Sequence, residues 1–176
     1  PWVRKAAIGA VGTRGEHLSI ESKQAVLRNI YYPILRSDPD PLIRAASARD
    51  LKRIHDSKTI DRVMQFLATE KDEYVQTYLL ESLAFLIRKK GDSLNPFDTS
   101  EASFKRLVDI LLEKAHPREG LEDSYVGLRV NSINAIGEIL WPDERILPAL
   151  REFIVKDPDP SVQEAAMQKV FEAHPD

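Results

Sequence analysis

Four histidines, two pairs of aspartates and a short series of glycines are the residues of this sequence best suited to catalysis or ligand binding. The histidines are His17, His55, His116 and His174. Metal sites on a helix typically use ligands one turn apart, and no two of these histidines have that spacing. The chain has no cysteine, which excludes thiolate ligands, thiol catalysis and disulfides. We therefore predict no metal site, no cofactor and no catalytic residue.

The paired aspartates have the residue type of a general acid or a metal ligand, but their context indicates another role. Asp38 and Asp40 flank one proline, and Asp157 and Asp159 flank another. A second proline follows each pair where a helix is expected to begin, and proline at that position costs no hydrogen bond. Aspartate near a helix N-terminus accepts otherwise unpaired N–H groups. The same design at two places predicts helix capping.

Gly9, Gly12 and Gly15 are spaced three residues apart, as in some phosphate-binding loops. Such a loop follows a β-strand, and no strand-like alternation precedes these glycines. We instead expect Gly12 to end the first helix as a C-cap and Gly15 to shape the link to the next helix.

The composition is that of an ordinary folded domain. The chain has 176 residues, of which 43% are apolar and 30% are charged. This predicts one domain over residues 1–176 with an adequate core. The richest apolar stretch, residues 78–87, is interrupted by Glu81 and is too short to span a membrane.

Five segments repeat one pattern, in which an apolar and a polar residue are followed by small or apolar residues three, four and eight positions on. They begin at Val3, Ile43, Val75, Leu128 and Val162. These positions share one stripe of a helix, so each segment is predicted to be amphipathic. The predicted inner helices lie near residues 1–12, 41–55, 73–89, 124–140 and 160–173. The predicted partner helices lie near residues 20–36, 57–68, 100–115 and 144–156.

The order of these helices resembles the HEAT-repeat family over essentially the whole chain. The turns at residues 38–44 and 157–163 are the most specific matches, since each has an acidic residue six positions before the Arg or Gln of an inner helix. The resemblance implies an all-α fold, a right-handed α-solenoid of stacked antiparallel helix pairs with about four and a half HEAT-like repeats, starting mid-repeat. Because the first inner helix has no partner before it, we expect its apolar face to be less covered than those of the other inner helices.

The family resemblance also implies a ladder of polar pairs along the stack. The ladder residues here are Asp38, Arg44, Asp123, Arg129, Asp157 and Gln163. The pairs can form within a repeat or between neighbouring repeats. Glu70 before Gln76 is a weaker match, and Arg4 has no acidic residue before it. A glutamine offers only a neutral hydrogen bond where an arginine offers a charge-assisted one.

Charge is distributed unevenly along the chain. Residues 1–90 carry 16 basic and 11 acidic residues, whereas residues 91–176 carry 9 and 17. By resemblance, the helix positions opposite the core stripe line a concave groove. The expected partner-binding residues are Lys5, Arg49, Lys52, Leu80, Arg88, Ile133 and Trp141. In this hypothesis Leu80, Ile133 and Trp141 are apolar anchors and the cations steer the partner.

We therefore expect a non-catalytic protein-binding or scaffold module whose concave face takes another protein or a peptide. The inference from fold to binding is by analogy with other HEAT proteins. Two alternatives stay open: an enzyme component similar to the phycobilin lyases, and nucleic-acid binding through the basic N-terminal half. A pI near 5.9 and the lack of aromatic residues interleaved with the basic ones argue against nucleic acid. Trp141 has an equally good alternative role as a packing residue at the corner after its helix.

Overall fold

The computed structural model describes residues 2–15, 17–55, 58–89, 101–117, 126–139 and 143–173. These residues are mostly helical, and no strand occurs among them. The helices are α1 (Trp2–Gly15), α2 (Ile20–Val26), α3 (Tyr32–Ser37), α4 (Pro41–Asp50), α5 (Thr59–Thr69), α6 (Glu73–Lys89), α7 (Glu101–Ala115), α8 (Val126–Gly137), α9 (Ile146–Lys156) and α10 (Pro160–Ala173). A π-helical segment, Leu27–Tyr31, joins α2 to α3 without a break. Within the described ranges, none of the helices has both the length and the apolar character needed to cross a membrane.

The aspartate pairs cap helices, as their context predicts. The Asp40 carboxylate accepts a hydrogen bond from the Leu42 N–H at the start of α4, and the Asp159 carboxylate accepts one from the Ser161 N–H at the start of α10. Asp38 accepts a further bond from the Asp40 N–H. Prolines begin both helices. The capping prediction is confirmed, because the carboxylates satisfy N–H groups that have no partner inside the helix.

The chain forms two compact units, Pro1–Leu86 and Ile87–Asp176. In the first unit α4 packs against both α1 and α3. The Ser82 hydroxyl of α6 donates a 2.7 Å hydrogen bond to the Ala48 carbonyl of α4. The π-helical segment reaches α1 through Tyr31, whose buried hydroxyl donates to the Ile8 carbonyl at 3.0 Å. Fully buried side chains of this unit include Tyr31, Leu27, Ile43, Leu51, Ile54, Leu67, Leu79 and Leu83.

In the second unit α8 packs against α7 and α10, and α9 packs against α10. Buried side chains of this unit include Phe153, Leu107, Leu111, Leu150, Ile136 and Val162. Each unit therefore packs successive helices against one another, as expected for a helical repeat.

The glycines of α1 have a different role from the one predicted. Helix α1 continues through Gly12 to Gly15, so the expectation that Gly12 ends the helix is wrong. A β-carbon on Gly12 would lie 2.6 Å from the Asp50 carboxylate, and one on Gly15 would overlap the Ile54 side chain. The absence of side chains at these two positions lets α1 approach the C-terminal end of α4 closely.

The leading residues of the repeat show which inner helix is least covered. Ile43, Val75, Leu128 and Val162 are at most 3% exposed, whereas Val3 is 84% exposed. This confirms the prediction that the first inner helix has a less covered apolar face.

Candidate binding surface

A chain of polar pairs joins successive turns of the first unit. The Arg44 guanidinium donates two hydrogen bonds to the Glu70 carboxylate, at 2.9 and 3.0 Å. Its remaining nitrogen donates to the main-chain carbonyl of Asp38 at 2.8 Å. The Asp38 carboxylate accepts from Arg4 at 2.6 Å. Each arginine thus pairs with a carboxylate in the turn just before the next inner helix, Asp38 before α4 and Glu70 before α6.

The same arrangement recurs in the second unit. Arg129 lies 3.3 Å from the Asp157 carboxylate, and both side chains are buried. The Gln163 amide donates to the Asp157 main-chain carbonyl at 2.7 Å, and Gln76 donates in the same way to Glu70 in the first unit. The glutamines therefore keep the bond to the carbonyl six residues before them. Because a glutamine amide is neutral, neither residue can form an ion pair with a carboxylate.

The predicted ladder is present, but with different partners from those the spacing suggested. Arg44 contacts the carbonyl of Asp38 and not its carboxylate. Glu70, the weaker match, receives the bidentate pair, and Arg4 has an acidic partner in Asp38. Asp123 lies outside the described residues, so its pairing with Arg129 stays a prediction.

Glu70 is held in its charged form. Burial raises the pKa of its carboxyl, but the hydrogen bonds from Arg44 and from the backbone N–H groups of Asp72 and Lys71 more than offset this effect. The net pKa of Glu70 lies below its ordinary value. The pair is therefore structural, with charge on both members at neutral pH.

The predicted apolar anchors are not available for binding. Leu80 and Ile133 are both 0% exposed, so the expectation that they contact a partner is wrong. Leu80 lies on α6, which contacts α4 through Ser82, and Ile133 lies on α8, which packs against α7 and α10. Side-by-side packing of helices buries such positions. Trp141 and the side chain of Arg88 lie outside the described residues. The predicted cation Lys52 forms an ion pair with Glu81.

Lys5 and Arg49 do lie together, and aromatic residues accompany them. One shallow depression of about 10 Å³ is lined by Lys5, Leu42, Ala45, Ala46, Arg49, Tyr74 and Tyr78. These seven residues, from α1, α4 and α6, are here called the cationic-aromatic surface. All of them belong to the first unit.

The two tyrosines of this surface form one aromatic group. Their rings pack edge to face, with centroids 5.0 Å apart, and their hydroxyls lie 3.3 Å apart. The hydrogen bond with Tyr74 and partial burial raise the pKa of Tyr78. Its hydroxyl therefore keeps its proton at neutral pH and remains a hydrogen-bond donor.

Sequence reasoning missed Leu42, Tyr74 and Tyr78 as surface residues. Tyr78 occupies a position assigned to the core, and Tyr74 lies just before the leading Val75. Their spacing of four residues does indicate one face of a helix. Only the placement of α6 beside α4 brings that face to Lys5 and Arg49. Aromatic residues that are not interleaved with the basic ones in the sequence thus come to lie beside two of them in the fold.

A buried carboxylate lies next to this surface on α4. Asp50 is 0% exposed, and its oxygens have no hydrogen-bond partner among the described residues. Arg49 and Arg53 approach it at 3.7 and 3.6 Å. Burial raises the pKa of Asp50, an effect that the charges of Arg49 and Arg53 only partly offset.

Other features give no better site. A larger cavity of about 650 Å³ lies against the ladder, but its Arg44 and Glu70 bind each other. Within the part of the chain that the structure describes, no group of three acidic or histidine side chains is arranged to hold a metal ion. No family model, curated protein or solved structure matches the chain.

Proposed function

We propose that this chain is a right-handed HEAT-like α-solenoid that acts as a non-catalytic protein-binding module, and that its ligand binds the cationic-aromatic surface. The recurring ladder supports the repeat assignment. In both units an arginine near the start of one inner helix pairs with the carboxylate of the turn just before the next inner helix, Arg44 with Glu70 before α6 and Arg129 with Asp157 before α10. One bond geometry repeated in two units is expected of a structure built from one repeating element.

The exposed apolar and aromatic groups of this surface carry the functional proposal. Leu42 is 46% exposed and Tyr74 is 48% exposed, and both lie beside two cations. Aromatic and arginine side chains contribute most of the binding energy in protein interfaces. Leu42 and Tyr74 line the same depression, and adjacent exposed apolar groups rimmed by polar residues are typical of such contacts.

The residue types of the surface favour binding over catalysis. It consists of aliphatic, tyrosine, lysine and arginine side chains, without the paired nucleophile and base that covalent catalysis needs. The nearest carboxylate on α4, Asp50, is buried beneath the surface and in contact with α1.

Site-specific photocrosslinking tests this proposal. A photoreactive phenylalanine replaces Leu42 on the surface or, as a control, the exposed Arg62 on α5. Illumination in an extract of the source cells is expected to give a discrete protein adduct from position 42 that weakens when Tyr74→Ala is added. Equal adducts from both positions, or none from position 42, would contradict the proposal.

A further inference from the structure

We infer that the ligand of the cationic-aromatic surface is an acidic segment of another protein that carries a large apolar side chain. This inference rests on the proposed function and adds the chemistry of the ligand. Three features of the surface support it: the small number of its cations, the edge-to-face packing of its tyrosines and the aliphatic residues that form its floor.

Most of the neighbouring positive charge is already neutralised by ion pairs. Arg4 pairs with Asp38, Arg44 with Glu70 and Lys52 with Glu81. Each of these pairs neutralises one cation near the surface, so fewer of the neighbouring cations can attract a ligand.

Lys5 and Arg49 are those cations on the surface. Among the described residues Lys5 forms no ion pair, and its ammonium lies 5.6 Å from the centre of the Trp2 ring. The Arg49 side chain is 41% exposed, and its ion pair within the part of the chain that the structure describes is with the buried Asp50, at 3.7 Å, a carboxylate that Arg53 also approaches, at 3.6 Å. Two such charges suit one or two carboxylates of a peptide. They are few for a polynucleotide, whose affinity depends on many phosphate contacts.

The tyrosines add hydrogen-bond donors. Because the Tyr74 and Tyr78 rings pack edge to face against each other, they do not form the flat platform on which nucleic-acid bases stack. Their hydroxyls lie 3.3 Å apart, so one can donate to the other while the second donates to the same carboxylates that Lys5 and Arg49 attract.

The floor of the depression is aliphatic. Ala45 and Ala46 are buried, and Leu42 is half exposed beside them. The depression, of about 10 Å³, is too small to enclose a side chain, so an apolar side chain of the ligand would lie over it and cover the exposed part of Leu42. Carboxylates with one apolar or aromatic side chain therefore match the whole surface, whereas a purely acidic ligand matches only part of it.

Fluorescence anisotropy with three labelled probes tests this inference. The probes are a short peptide of glutamates with a central phenylalanine, the same peptide with lysines in place of the glutamates, and a single-stranded oligothymidylate of similar length. We expect the acidic peptide to bind most tightly. Its affinity is expected to fall about tenfold or more when serine replaces the phenylalanine, because the apolar area that the ring would cover is lost.

Variants locate the site. Lys5→Glu with Arg49→Gln is expected to weaken the acidic peptide about tenfold or more, because steering charges and charge-assisted hydrogen bonds are lost. The control, Arg36→Glu with Lys71→Gln, makes the same change in net charge at exposed positions of the same unit and is expected to change affinity less than about twofold. Tyr74→Ala, which removes a half-exposed ring, gives a second measure if the charge variant is unstable.

The outcomes separate this inference from the proposed function. Equal loss in the charge variant and its control, tighter binding of oligothymidylate, or no binding of the acidic peptide would each overturn the inference. If the acidic peptide fails while photocrosslinking at position 42 still captures a protein, only the inferred ligand chemistry is wrong. If both fail, the proposed function is also wrong.

Discussion

The bidentate pair between Arg44 and Glu70 gives the sharpest test of the ladder as a source of stability. Its two hydrogen bonds are 2.9 and 3.0 Å long, and the side chains are only 16% and 9% exposed. Arg44→Met removes the guanidinium and keeps an apolar stem. Glu70→Gln removes the charge and keeps an acceptor for the N–H groups of Lys71 and Asp72.

A double-mutant cycle with these two substitutions is expected to give a coupling free energy of roughly 2 kcal/mol. Charge-assisted hydrogen bonds are worth about 1.5–3 kcal/mol, and directly contacting pairs couple by about 0.5–3 kcal/mol. The control cycle uses Lys156 and Glu152, an exposed pair one helical turn apart, which is expected to couple by about 0.3–0.5 kcal/mol. Urea unfolding followed by circular dichroism measures both cycles.

The coupling also has a defined pH dependence. Because the folded pKa of Glu70 lies below its ordinary value of 4.5, the stabilisation is fully present above that value and is lost as the pH falls through the lower folded pKa. A neutral-pH coupling no larger than that of the exposed pair, or one that does not decline in acid, would refute the reasoning.

Three further predictions concern packing and buried charge. Asp50→Asn should raise the free energy of unfolding by about 1–3 kcal/mol at neutral pH, because a buried carboxylate without hydrogen-bond partners is costly. Since the folded pKa of Asp50 lies above its ordinary value of 3.8, this gain should shrink as the pH falls through the raised pKa. A less stable Asn variant at neutral pH would contradict the prediction and mean that the attraction of the nearby arginines outweighs the cost of burying the charge. Gly12→Ala should destabilise the protein by about 1–3 kcal/mol, because the new carbon overlaps Asp50. Gly9→Ala has no atom within 4 Å of the new carbon and should stabilise by roughly 0.5–1 kcal/mol. Thermal melts in which Gly12→Ala is the more stable variant would contradict the packing of α1. Val3→Ala should change the free energy of unfolding by less than about 0.5 kcal/mol, whereas Val75→Ala should lower it by about 2 kcal/mol or more. Similar losses for the two variants in urea unfolding would mean that Val3 is covered in solution.

Helix positions were predictable because the periodic pattern and the caps are local. The helix at Pro160–Ala173 begins and ends where the pattern predicts, and Asp40 and Asp159 cap as expected. Such features depend on residues within one or two turns, which the sequence displays directly.

The surface was harder to predict because it depends on which helices become neighbours. Leu80 and Tyr74 both lie on α6, yet Leu80 is fully buried and Tyr74 is half exposed. The repeat pattern does not distinguish a ridge covered by the next helix from one that is open. The partner of each ladder arginine was missed for the same reason, since Glu70 is 26 residues from Arg44 along the chain.

Tyrosine-ring NMR during titration with the acidic peptide tests the central claim most directly, because it reports on the individual side chains of the surface. With tyrosine rings labelled with ¹³C, the signals of Tyr74 and Tyr78 are expected to shift and saturate together with the anisotropy. The signal of Tyr31, which is 0% exposed, is expected to stay in place. Saturable peptide binding that leaves the signals of Tyr74 and Tyr78 unchanged would place the ligand elsewhere and contradict the account.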